Sequence, residues 1–379
     1  SGPGIPIGTS SSSFSGTFDG QLHALKNLNV SAASTTYRGL FASVTTPGIV
    51  KNLILDSVNV RGGQILGPVA GYVSGTINRV GVIGPSMVFP TTASWDASGG
   101  LVGYLYKPGV IEESYVENGM TVTSPSSNQA GGIAGAAVGT AATAGNFPSI
   151  KNSYSLAKIS VVGSRFGGIV GEGVWAQVTN SYFAGIANDV GGSEYERGVM
   201  GFNSNSSTLN GNFYDSTLCA AAAGFCASIA YPEEKGLPTS LAKSITPYIG
   251  QGWDFANVWT TPGRVTSGQY PSLIWQPGQQ AFSTPPTSAN SITYSGGNGS
   301  VGTPYLISTS ADYLAFIYDR IKWSLGTTYY RMTSDFNLAG IDLNPIGTSV
   351  NPYQAQFDGQ NHTLSNITMT GTLQVGLFG

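Results

Sequence analysis

The residues able to do acid–base, nucleophilic or metal chemistry are few and poorly grouped. Among 379 residues there are 16 Lys and Arg, 19 Asp and Glu, two His and two Cys. His23 and His362 stand 339 positions apart in matching contexts, Asp19-Gly20-Gln21 before the first and Asp358-Gly359-Gln360 before the second. Each therefore belongs to its own copy of one segment. One histidine per copy argues against a Ser-His-Asp, Cys-His or multi-histidine zinc arrangement. Both are read as loop residues following Asp-Gly, a strong tight-turn dipeptide. No metal and no cofactor is expected.

The acidic pairs are Glu112 with Glu113, Glu194 with Glu196, and Glu233 with Glu234. Neighbouring residues of a strand point to opposite faces, so Glu112 and Glu113 do not share a site if that segment is extended. Glu194 and Glu196 can share one, with Asp189 and Arg197 close in sequence. That is the one acid–base candidate, and its alternative is an ordinary solvated loop. Cys219 and Cys226 bracket a short Ala- and Gly-rich stretch that can close as a local disulfide in an oxidising compartment or carry two free thiols. Trp95 and Tyr195 lie in the stretches 89–97 and 188–197, where an aromatic ring either stacks on a sugar or packs on the protein body. Sequons at Asn29, Asn205, Asn298, Asn361 and Asn366 matter only in a host that glycosylates them.

Composition narrows the partners. Charged residues make up 9% of the chain, against roughly 25% in an average globular protein, and the net charge is −3. No basic run is present to neutralise phosphates, so neither nucleic acid nor an anionic membrane is an expected partner. No apolar stretch approaches the roughly 18 residues that span a bilayer. The 53 glycines would suggest a turn-rich chain, and 41% hydrophobic content is enough for a core. Low charge, abundant small polar residues and a possible disulfide point to a secreted or cell-surface protein.

The positioning elements come from a repeat. A Gly block recurs as Gly39-Leu40-Phe41-Ala42, Gly67 to Gly71, Gly99 to Gly103, Gly131 to Gly135, Gly167 to Gly171 and Gly198 to Gly201, and its last residues are 29, 32, 32, 36 and 30 positions apart. A second element follows most blocks, as in Ile150-Lys151-Asn152-Ser153-Tyr154 and Val178-Thr179-Asn180-Ser181-Tyr182. Six imperfect units with apolar pieces this short are strand-and-turn units, whose exposed apolar faces are covered only when neighbours stack. Stacking places Asn residues in recurring turns and predicts an aromatic column of Tyr115, Tyr154, Tyr182 and Tyr214.

This pattern, Gly-Gly-apolar-Val-Gly followed by Gly-x-Ile-x-Asn-Ser-Tyr, resembles the GLUG-motif repeats of large secreted surface proteins and adhesins of bacteria and some archaea, over residues 5–214. The resemblance implies a right-handed parallel β-helix. Some members of that family carry a zinc protease elsewhere; no His-Glu-x-x-His is present here, so no protease activity is carried over.

A longer repeat contains the first. Pro6-Ile7-Gly8-Thr9 returns as Pro345 to Thr348, and Phe18-Asp19-Gly20-Gln21 as Phe357 to Gln360, each 339 positions on. Before the second copy, residues 302–307 read as a strand and 312–321 as an amphipathic helix with Ser310 as N-cap and Leu314, Ile317, Tyr318 and Ile321 on one face. Such a helix would close the open end of a β-helix. The expected organisation is therefore all-β: coils over 1–214, a Trp-rich cap over 215–276, a linker over 277–291, and over 292–379 the cap and first coil of a further unit. The chain is expected to start inside one unit and end inside the next.

The function expected is structural and non-enzymatic: stiff units in tandem forming a cell-surface stalk, adhesin or filament, with copies of itself and surface glycans as partners. Two alternatives stand beside it. A polysaccharide lyase or hydrolase would use the Glu194 and Glu196 loop, and a self-assembling filament subunit would join end to end.

Overall fold

The computed structural model describes residues 4–31, 36–91, 96–124, 129–141, 143, 145–162, 165–189, 196–204, 207–220, 234–261, 269–287, 291–338, 342–343, 345–348, 351–369 and 376–378. The chain divides into two compact units, residues 1–228 and 229–379.

The first unit is a parallel β-helix. Sheet 1 stacks Asn29–Val30, Asn59–Arg61, Ser86–Phe89, Met120–Ser124, Lys158–Val161 and Ala187–Asp189. Sheet 2 stacks Tyr37–Arg38, Ile65–Leu66, Ala97–Gly99, Gln129–Gly131, Arg165–Gly167 and Glu196–Arg197. Sheet 3 stacks Phe41–Val44, Ala70–Val73, Val102–Tyr106, Ala134–Val138, Val170–Val174 and Met200–Ser204. Sheet 4 runs from Thr17–Asp19 through Ile49–Asp56 and Thr76–Ile83 to Asn212–Asp215. The chain visits the sheets in the order 1, 2, 3, 4 once per coil. Phe41, Ala70, Val102, Ala134, Val170 and Met200 are successive ladder partners, spaced as the Gly blocks are.

Each coil donates the same inward positions. Val50, Ile77, Ile111, Ile150, Val178 and Leu209 form one column, and Val60, Val88, Val122, Ile159 and Ala187 another, all at most 2% exposed. Full burial of a Val, Leu or Ile side chain contributes about 1.5–3 kcal/mol, so these columns dominate the core. The three glycines of a block have three different reasons. A Cβ on Gly131 would lie 2.0 Å from the Ala134 carbonyl of its own turn, one on Gly132 2.1 Å from the Gly168 carbonyl of the next coil, and one on Gly135 2.5 Å from Ser98 N of the coil before.

The corner residue, two positions after the inward Val or Ile that opens each second element, is left-handed, and is Asn in three of five coils. Asn52, Arg79, Glu113, Asn152 and Asn180 all have positive φ, between 47° and 55°, and Gly211 takes the same place with φ 66°. Asn is tolerated there because its short side chain bonds locally. This corner sets the phase of the next strand and corrects the aromatic column. Tyr115, Tyr154 and Tyr182 do stack, with ring centroids 5.5 and 5.0 Å apart, but their next partner is Phe213. Tyr214 falls one column over, opposite Phe183, because Gly211 and not Asn212 occupies the corner.

In the second unit Tyr305–Ile307, Tyr329–Met332 and Gln356–Asp358 form a parallel sheet in that order. The duplicated coil is rebuilt: Ile346 bridges Phe378 as Ile7 bridges Phe41. The helix Ser310–Tyr318 sits on this coil, with Phe316 stacked on Phe357 at 5.1 Å and Tyr313 5.8 Å from Phe336. Its N-cap is Thr309, one residue before the expected Ser310, because Asp312 and Thr309 close a reciprocal capping box. The expected apolar face also shifts. The helix stops at Tyr318, a short second helix Arg320–Trp323 restarts after Asp319, and so Ile321 is exposed while Trp323 is buried. Asp319, wholly buried, is paired by Lys322 Nζ at 2.6 Å and accepts from the Tyr294 hydroxyl at 3.1 Å.

Candidate ligand-binding face

The residue after the closing Gly or Ala42 of each block occupies one register position of sheet 3, where Tyr72, Tyr104 and Phe202 are half-buried while Ser43 and Ala136 are buried. Ladder pairing skips the closing residue and resumes with Ser43, Tyr72, Tyr104, Ala136, Glu172 and Phe202 as successive partners. The backbone kinks there, so the apolar side stays inward on both sides of the glycine. Leu105 is fully buried while Tyr104 and Tyr106 on either side of it are half-buried, which places both rings outside. Beside this column runs a second, from sheet 2, of Tyr37, Ile65, Ala97, Gln129 and Arg165.

Together the two columns make a stripe along the coil axis. At its early end Tyr37 and Tyr72 have ring centroids 5.5 Å apart, and Tyr72 and Tyr104 stack at 6.1 Å with their planes 8° apart. Tyr106 lies 6.4 Å from Tyr104. At its late end Glu172, 8% exposed, is paired by Arg165 Nη1 at 2.7 Å and accepts a hydrogen bond from Gln129 Nε2. The Arg165 guanidinium lies 4.5 Å from the centroid of the Phe202 ring. Burial, and secondly the Glu172 charge, push the Tyr104 phenol up to about 12. Burial, then Tyr106 and Tyr37, raise that of Tyr72.

The chemistry available is recognition. A carboxylate held by a guanidinium and an amide is already an acceptor in use, and the guanidinium has donors beyond those it gives to Glu172. Connections from sheet 2 to sheet 3 keep to two or three residues, such as 39–40 and 67–69, whereas those from sheet 1 to sheet 2 vary from 62–64 to 90–96 and 190–195.

Of the candidates read from sequence, Trp95, Glu194, Tyr195 and Cys226 lie outside the described residues. The backbone of Glu196 pairs with Phe166 in sheet 2, next to Arg165, and its side chain lies outside the described set, as does that of Asp189. Arg197 donates to the Gly201 carbonyl at 2.5 Å. Glu112 and Glu113 are kept apart, the first on Lys151 at 2.8 Å and the second on Arg79 at 2.9 Å, both pairs linking successive coils. His362 contacts Asp335 at 3.0 Å. Cys219 is buried. Among the described residues no three His, Cys, Asp or Glu side chains converge on a point, and no helix is long and apolar enough to cross a membrane. Tyr72, Tyr104, Glu172 and Phe202 went unread in the sequence, although a signal was present: each directly follows the closing glycine of a block.

No family model matches the chain. It is similar to Halomucin from Haloquadratum walsbyi (strain DSM 16790 / HBSQ001), 33% identical over 101 residues. That match covers 27% of this chain and 1% of the relative, so the chain spans a very small part of the curated protein it resembles.

Proposed function

We propose that the chain is a section of an extracellular structural repeat protein, in which GLUG-like β-helical units follow one another in tandem as a cell-surface stalk, adhesin or filament. The observation that carries this reading is the rebuilt coil. The Ile346 to Phe378 bridge repeats that of Ile7 to Phe41, and strand Gln356–Asp358 matches Thr17–Asp19 of the first unit. A β-helix gains its stability unit by unit from neighbouring coils, so it extends without a new fold being needed. Inter-coil ion pairs such as Asp19 with Lys51 and Glu112 with Lys151 add axial register, and low total charge limits repulsion between parallel rods. The limited similarity to Halomucin is to a much longer chain, as a large tandem protein would be, and the function is read as non-enzymatic.

The test is the mass of the native polypeptide in denaturant, with and without reductant. A mass many times the 39.2 kDa of this chain is expected for a covalent tandem array. A mass near 39 kDa would overturn the tandem reading in favour of subunits that assemble end to end.

A further inference from the structure

We propose that the stripe from Tyr72 to Phe202 on the outer side of sheets 2 and 3 binds a neutral polysaccharide laid along the coil axis. This rests on the surface-protein reading above and gives its adhesive variant a site and a ligand class. Three observations lead to it.

The stripe joins flat polar groups to aromatic rings. Arg165, Glu172 and Gln129 hold one another through a 2.7 Å ion pair and an amide hydrogen bond. Preorganised planar donors and acceptors of this kind match the paired hydroxyls of a pyranose, and fixing them beforehand reduces the ordering cost of binding. Tyr72 and Tyr104 stack with parallel planes along the axis, and Tyr106 lies beside them.

Its charge is balanced internally. Among the described residues the guanidinium is matched by one carboxylate, Glu172, and the other members are phenols, an amide, a phenyl ring and the aliphatic Ile65, Ala97 and Ala136. An anionic polymer would have to compete with Glu172 for Arg165, whereas a neutral polyol uses the spare donors without breaking the pair.

Its length suits a chain. Tyr72, Tyr104, Ala136, Glu172 and Phe202 occupy five successive coils, roughly 19 Å at about 4.8 Å per coil, and with Ala136 wholly buried the accessible members are Tyr72, Tyr104, Gln129, Arg165 and Phe202.

The experiment is affinity electrophoresis of the full chain through gels containing dextran, mannan, soluble β-glucan or, as the acidic comparison, alginate. Retardation is expected in at least one neutral polysaccharide, and it should fall at least fivefold in Arg165→Met and in Tyr106→Ala, with unchanged far-ultraviolet circular dichroism at the assay temperature showing that the coils remain folded even though Arg165→Met lowers the melting temperature by leaving Glu172 unpaired. Retardation by alginate alone overturns the neutral ligand. Retardation equal in wild type and both variants overturns the site, and no retardation in any gel overturns the proposal as a whole. Each failure leaves the mass measurement untouched, so the tandem reading stands or falls separately.

Discussion

Ser153 Oγ accepts the backbone N–H of Ser114, one coil earlier, at 3.2 Å and donates to the carbonyl of Lys151 at 2.9 Å. Ser181 does the same for Ser153, and Asn212 closes the series by accepting from Ser181 N at 3.0 Å and donating to the Val178 carbonyl at 2.7 Å. All four residues are fully buried. Where the left-handed corner breaks the regular ladder, this column satisfies the backbone groups the corner leaves over.

Ser153→Ala therefore strands the Ser114 N–H inside the protein. An unsatisfied buried donor costs about 1–3 kcal/mol, so the denaturation midpoint is expected to fall while the slope with denaturant stays constant. A midpoint equal to wild type would show that the serine column is decorative.

Gly135→Ala tests close approach without φ strain. Its Cβ would meet Ser98 N at 2.5 Å and the Gly103 carbonyl at 2.8 Å, both backbone atoms with nowhere to move. Overpacking of this kind costs about 1–3 kcal/mol and sometimes more. Gly302→Ala, with nothing within 4 Å of the new carbon, is the paired control and should leave the melting temperature within a degree or so of wild type, because surface changes are usually within about 0.5 kcal/mol.

The glycine spacing made the coil and its period legible, since no other residue type permits those backbone approaches. Tyr214 was misplaced for an equally physical reason. Aligning the units by tyrosine ignores the left-handed corner, and the corner decides which residue follows in register. The outer stripe was harder to see because its members share a position and no chemical type: Tyr104, Ala136, Glu172 and Phe202 look unrelated until the kink after each block puts them in one line. The helix was legible, but its break at Asp319 was not, because the ion pair with Lys322 depends on burial that sequence does not display.

Tyr104 gives the face a pH signature. Its phenol is pushed up to about 12, firstly by burial and secondly by Glu172, from the usual value near 10. Between about pH 10 and 12 the unfolded chain therefore loses this proton while the folded one keeps it, so stability falls as pH rises through that window and is unaffected below it. Ultraviolet titration of phenolate should show the Tyr104 contribution moving to lower pH in Glu172→Gln. A titration curve unchanged by that substitution would mean that the carboxylate does not act on the ring.

Within the second unit, Arg320 predicts coupling between two segments distant in sequence. Its Nη2 donates to the Gln251 carbonyl at 2.7 Å and its Nη1 to Asn351 Oδ1 at 2.7 Å. Close by, Gly250 runs so near the end of the Ser310–Tyr318 helix that a Cβ would lie 2.1 Å from the Tyr318 carbonyl, and Gln251 Nε2 donates to that carbonyl at 3.2 Å. Hydrogen bonds to a charged group contribute about 1.5–3 kcal/mol each, and the guanidinium makes one to each side. In Arg320→Ala, amide hydrogen exchange should rise together at 246–251 and 351–355, while the Ser153 coil in the first unit keeps its wild-type rate. Faster exchange at only one of the two segments would mean that Arg320 is a local contact. A joint rise makes it the tie between the Trp-rich segment and the first coil of the unit, with the capping helix held between them.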